Sequence, residues 1–144
     1  MKLFLDTSML LGFLSGDKDF KPTAERLLAM KLLGDAELWT SARAYLRAHT
    51  LLSQVCDEDE ILQAFLASFE ELQVCSLDGD DIRRASELHH EDFEDCLTDL
   101  AAQRVKADIL LTRRSDGYED ATSIVMVPED FFEELAAGGV SYSI

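Results

Sequence analysis

Lys2-Leu3-Phe4-Leu5-Asp6-Thr7-Ser8 opens the chain with an apolar strand that delivers an aspartate at its exit. A second acidic group, Asp92-Phe93-Glu94-Asp95, starts a helix much later, and Ile109-Leu110-Leu111-Thr112 then gives another apolar strand with a polar exit. In an open α/β sheet, ligands sit outside the carboxyl ends of the strands, so acids carried by such ends converge on one place. Many strand-end carboxylates only cap the next helix.

The intervening sequence alternates in the same manner. Ser8 to about Leu14 reads as a short helix. Pro22 opens a helix to about Leu33, with Ala24, Leu27, Leu28 and Leu32 on one stripe and Gly34 closing it. Glu37 to Thr40 forms a strand, and Ser41 caps a helix to about Val55, with Tyr45, Ala48, Leu52 and Val55 in helical period. Asp57 to about Phe69 is a helix with Ile61, Leu62, Phe65 and Phe69 as its stripe. Leu72 to Ser76 is a strand, Asp78 to about His89 a helix, and Asp92 caps a helix to about Lys106. Ile124 to Val127 is the last strand, and a helix from Pro128 ends at Gly138-Gly139. Strands separated by helices predict a central, mostly parallel sheet of about five strands flanked by helices.

At 144 residues the chain reads as one domain over 1–144, large enough to bury a sizeable core. Cys56, Cys75 and Cys96 are odd in number and unpaired in spacing, which predicts reduced packing residues. No apolar run approaches a membrane span, and the amino terminus carries no leader pattern, so a cytoplasmic location without membrane contact is expected. The formal net charge is −16, the reverse of the basic footprint of an autonomous nucleic-acid binder. A phosphate substrate then requires a local basic patch or a bound metal, while the acidic surface suits a basic protein partner.

Asp92 and Asp95 are three apart and share a helix face, where like charges repel. If Asp6 joins them, either a divalent cation held by oxygen or a raised pKa on one carboxyl relieves the cluster. The plain alternative makes Asp92 a cap and Asp95 a first-turn acid favoured by the helix dipole. His89-His90 reads as an exposed turn, His49 as a packing or surface residue, and Trp39 as core.

Leu3-Phe4-Leu5-Asp6-Thr7-Ser8-Met9-Leu10-Leu11 resembles the opening of PIN domains, in which a strand ends in Asp-Thr-Asn or Asp-Thr-Ser before an apolar helix. Asp92 to Leu97, followed by Lys106 to Arg113, is similar to the family's second half, and Val125 to Phe131 to its closing strand and helix. The resemblance covers nearly the whole chain. It implies a PIN-like α/β fold and an Mg²⁺- or Mn²⁺-dependent ribonuclease, in many members the toxin of a toxin–antitoxin pair. Asp6 matches the family's first acid, Asp95 the acid of the long helix, and Asp92 an additional acid of one branch. Such carboxylates hold metal that activates water for in-line attack on a phosphodiester.

Two places depart from the pattern. Arg47 stands about where many members carry glutamate, and Arg114 and Gly117 stand where Asn or Asp and an Asp-Phe pair are usual. The two guanidiniums either neutralise the carboxylates and displace the metal, or clamp RNA phosphate beside an ion. Asp116, adjacent in sequence, is a candidate substitute for the missing acid. Ser8, Ser41 and Thr112, at element ends, are caps or substrate-orienting residues. The leading expectation is therefore a metal-dependent ribonuclease with Asp6, Asp92, Asp95 and Asp116 as catalytic acids. Asp6, Asp92 and Asp95 are its metal ligands, and Ser8, Ser41, Arg47, Thr112 and Arg114 its substrate contacts. RNA, a basic antitoxin and a second copy of the chain are the expected partners. The alternative is a catalytically degenerate PIN domain that binds protein or RNA. A phosphoryl-transfer enzyme is disfavoured, because no second carboxylate follows Asp6 by two residues.

Overall fold

Leu3, Phe4 and Leu5 expose no surface, because their strand lies in the middle of the sheet. The computed structural model describes residues 1–114 and 116–142. In chain order the elements are β1 (Lys2–Leu5), α1 (Thr7–Ser15), α2 (Lys21–Leu32), β2 (Glu37–Ser41), α3 (Ala42–Leu52) and α4 (Glu58–Ser68). They continue with β3 (Gln73–Cys75), α5 (Gly79–Leu88), α6 (Phe93–Arg104), β4 (Ile109–Leu111), β5 (Val125–Met126) and α7 (Pro128–Ala137). The five strands are ordered β3-β2-β1-β4-β5, and every neighbouring pair is parallel. The expected sheet is present, with the antiparallel allowance unused.

A parallel sheet needs both faces covered, and the period-2 alternation of β1 sorts its residues between them. Leu3 and Leu5 enter a core with Met9, Leu27, Met30 and Phe131. Phe4 points the other way, to Ala101, Ala102, Leu110 and Tyr118. Phe4 lies opposite both Trp39 and Leu110, and Leu5 opposite Leu111, so the exits of β1 and β4 emerge side by side. The chain steps outward from β1 to β3 and then returns to the far side of β1. The gap between β1 and β4 is the topological switch point, the usual place for a ligand in such sheets.

Capping fixes where several helices start. Asp6, rather than Ser8, is the N-cap of α1, accepting from the amide of Met9 at 3.1 Å. Asp57 and Asp78 form capping boxes at α4 and α5.

Some stripe residues lie elsewhere than helical period predicts. On α2 the buried pair is Leu27 and Met30, while Leu32 is 85% exposed. α3 ends at Leu52, three residues before the expected limit, and Val55 lies outside it at 81% exposure. Ile61 is buried on α4, but Leu62 and Phe69 are largely exposed. Cys75 and Cys96 are buried, Cys56 is partly buried, and all three are free thiols. No helix among the described residues is long and apolar enough to cross a membrane.

Candidate active site

The carboxyl ends of β1 and β4 and the start of α6 enclose a cleft of about 310 Å³. Asp6 arrives from the exit of β1, Asp95 from the first turn of α6, and Arg114 and Tyr118 from the loop after β4. A larger cavity, about 710 Å³, lies at the opposite edge beside Met1, Lys2 and Lys106, away from these acids.

Asp6 is 3% exposed and tightly held. Its Oδ1 accepts from Ser8 Oγ at 2.5 Å and from the Met9 amide at 3.1 Å, and its Oδ2 accepts from the Tyr118 hydroxyl at 3.0 Å. Burial, followed by the charges of Asp6 and Asp95, pushes the Tyr118 hydroxyl well above its ordinary 10.0, so it stays a donor. Ser8 Oγ also accepts from the Arg113 amide at 2.9 Å and lies 3.4 Å from Thr112 Oγ1. Ser8 and Thr112 thus tie the exits of β1 and β4 together.

Asp95 is 5% exposed. Its amide donates to Asp92 Oδ1 at 2.9 Å, the capping contact expected of Asp92. Its Oδ1 accepts from Arg114 Nη2 at 2.7 Å, a charge-assisted bond. Its Oδ2 is buried and has no hydrogen-bond partner among the described residues. Burial raises the Asp95 carboxyl above its ordinary 3.8, and Arg114 offsets part of the rise. Arg114 is anchored in turn: Nη1 donates to the carbonyl of Asp116 at 2.6 Å, and the guanidinium lies 5.5 Å from the Tyr118 ring centroid. Gly117 makes the arrangement possible. Its φ is +96°, and a β-carbon there would collide with Asp95 Oδ2 and Arg114 Nη1.

The other expected site residues are distributed unevenly. Arg47 lines the cleft but points to Glu94, with Nε 3.9 Å from Oε2, and does not pair with the buried acids. Asp116 is exposed, meets Arg114 through its backbone carbonyl and is not among the lining residues. Ser41 is buried and caps α3 through the Ala44 amide at 3.1 Å, also outside the lining.

Sequence reasoning missed two residues of the cleft and one buried acid beside it. Arg43, one turn before Arg47 on the same face, bonds Thr98 Oγ1 at 2.9 Å and reaches Glu94 at 3.5 Å. Tyr118 was legible only as an aromatic after a turn. Asp99, one turn beyond Asp95, is 1% exposed and accepts from the amides of Thr122 and Ser123 and from Gln103 Nε2, each at 3.0 Å. It holds the loop before β5 and takes no part in the cleft lining.

Among the described residues, no three His, Cys, Asp or Glu side chains are close enough together to hold a metal ion. Mg²⁺, however, is commonly bound by one or two carboxylates, with water and substrate phosphate completing its shell. Asp6 and Asp95 supply two, and the unpartnered buried Oδ2 of Asp95 is an oxygen that a cation would satisfy. The donor set fits a hydrated divalent ion rather than a closed protein cage.

A family model of the PIN domain matches residues 2–115. No sequence match among curated proteins reaches significance. Among solved structures, VapBC2 from Rickettsia felis, bound to a promoter DNA fragment, is similar at 14% identity and a TM-score of 0.67, covering 88% of this chain and 98% of that one. VapC20 from Mycobacterium tuberculosis, a toxin that cleaves the sarcin-ricin loop, is similar at 22% identity and a TM-score of 0.58, covering 75% and 86%. A toxin–antitoxin complex from Klebsiella pneumoniae is similar at 17% identity and a TM-score of 0.59, covering 88% and 97%. At these identities the likeness is one of fold. The family match spans most of the sequence: the chain belongs to the PIN domain family.

Proposed function

We propose that the chain is a metal-dependent ribonuclease of PIN type and the toxin of a toxin–antitoxin pair. The observation that carries this reading is the pair Asp6 and Asp95, brought from distant segments into one switch-point cleft with Asp95 Oδ2 buried and unpartnered. Asp6 and Asp95 would hold Mg²⁺ or Mn²⁺, with Asp92 kept on the cap of α6. Such an ion supplies an acidified water and charge neutralisation at a phosphodiester. Tyr118 and Ser8 fix the Asp6 carboxylate from both oxygens, which limits the motion that would misplace a ligand. Arg43 and Arg47 line the wall of the cleft, where guanidinium groups suit RNA phosphate.

The antitoxin part of the reading is supported by the fold shared with toxin–antitoxin proteins and by the charge. A chain of net charge −16 complements a basic partner. Leu46, Val55 and Leu66 are strongly exposed on or beside α3 and α4, an apolar surface suited to an antitoxin or a second copy. Cytoplasmic action on RNA belongs to the same proposal.

A second reading is favoured by one contact. Arg114 on Asp95 already neutralises the buried acid, as expected of a catalytically silent PIN domain that binds a partner. Incubating the wild type with unstructured RNA separates the two. The nuclease reading expects cleavage with Mn²⁺ that chelator abolishes and that Asp6→Asn and Asp95→Asn each lose. RNA left intact by the wild type at every Mn²⁺ concentration would favour the silent module.

A further inference from the structure

Four carboxylates line the cleft, from Asp6, Asp92, Glu94 and Asp95, against three guanidiniums, from Arg43, Arg47 and Arg114. In a chain of formal charge −16 this one place comes within one charge of balance. Adding a divalent ion reverses its sign. The ion would also sit on a carboxylate whose other oxygen already bonds a cation, Arg114 Nη2 at 2.7 Å. A doubly charged ion is repelled by that guanidinium, and the repulsion is strong where water is scarce. One negative charge delivered from outside restores the balance, and a phosphodiester carries one.

We propose that Arg114 is a positioning residue that keeps the site's divalent-ion affinity low until RNA phosphate arrives, so that ion and RNA bind together. The inference rests on the ribonuclease reading in taking Asp6 and Asp95 as the ion's ligands and RNA as the source of the phosphate. Three features make Arg114 a built part of the site. Its guanidinium is held by the Asp116 carbonyl, it stacks against Tyr118, and Gly117 leaves the space it fills. The buried, unpartnered Oδ2 of Asp95 is the oxygen left for the ion. By linkage, if RNA tightens the ion, the ion tightens RNA by the same factor.

The test is Mn²⁺ affinity, measured by calorimetry or electron paramagnetic resonance with and without a short N3′→P5′ phosphoramidate RNA, which keeps the phosphate charge and resists hydrolysis. The wild type should bind Mn²⁺ at least about tenfold more tightly with the RNA than without it. Arg114→Gln should bind Mn²⁺ at least about tenfold more tightly than the wild type without RNA, and should gain little from the RNA. Arg114→Lys keeps the charge and should stay weak without RNA, which also guards against loss of fold in the glutamine variant. Unchanged or weaker Mn²⁺ binding in folded Arg114→Gln overturns the proposal, as does an ion affinity in the wild type that ignores RNA. These readouts need no cleavage. A failed nuclease reading would show separately, as ordinary RNA left intact by every protein with Mn²⁺, whereas a failed coupling would show as ion affinities indifferent to Arg114.

Discussion

Arg114 Nη2 stands 2.7 Å from Asp95 Oδ1, joining a half-exposed guanidinium to a carboxylate whose side chain is only 6% exposed. The bond consumes one oxygen of Asp95 and leaves the other buried without a partner among the described residues. If a cation binds here as proposed, the pair would both mark its position and oppose its entry.

The first consequence is a pH dependence. Burial holds the Asp95 carboxyl above its ordinary 3.8 despite Arg114. As pH rises past 3.8 the unfolded chain releases its proton first. The stability Asp95 contributes is thus present below 3.8 and lost as pH rises through the folded value. Arg114→Gln removes an influence that lowers this pKa, so the Asp95 midpoint should move upward and the loss extend to higher pH. Carbon-detected NMR titration of the Asp95 carboxyl reads this directly, and a midpoint that stays or falls in the variant would contradict the account.

Gly117→Ala should be costly although it adds a single methyl group. The residue sits at φ +96°, where a β-carbon is strained and would strike both members of the pair. A loss of about 1–3 kcal/mol is expected in urea unfolding. A change below about 0.5 kcal/mol, the usual size for an innocuous surface substitution, would show that Gly117 does not set the close approach.

Asp99 separates structural from functional acid. Asp99→Asn leaves one side-chain oxygen to serve the amides of Thr122 and Ser123, and turns an N–H₂ group toward donors. About 1–3 kcal/mol of stability should be lost. Mn²⁺ affinity, measured in the folded variant, should not move, because Asp99 lies outside the cleft lining. A marked fall in ion affinity would instead place Asp99 in the site.

Much of this arrangement was legible in the sequence. A central parallel strand is buried on both faces, so Leu3-Phe4-Leu5 had to be continuously apolar, and its exit had to carry Asp6 to the sheet edge. Asp92 as a cap followed from its place at the start of a helix. Other features depend on tertiary contacts that periodicity does not encode. Leu32 and Met30 are both apolar on α2, yet only Met30 is buried. Asp95 and Asp99 lie four apart on one helix, but the loop before β5 draws Asp99 away. The direction of Arg114 was set by an irregular turn and the positive φ of Gly117, and Arg47 was drawn to Glu94 instead of the buried pair.

On the proposed reading, Asp6 and Asp95 jointly hold one divalent cation at the β1/β4 switch point. Anomalous diffraction from crystals saturated with Mn²⁺ tests it most directly. One strong peak is expected at the carboxyl edge of the sheet, bonded by an oxygen of Asp6 and by Asp95 Oδ2, and absent in Asp6→Asn. A peak that avoids either carboxylate, or no peak at the highest Mn²⁺ the crystals tolerate, would contradict it.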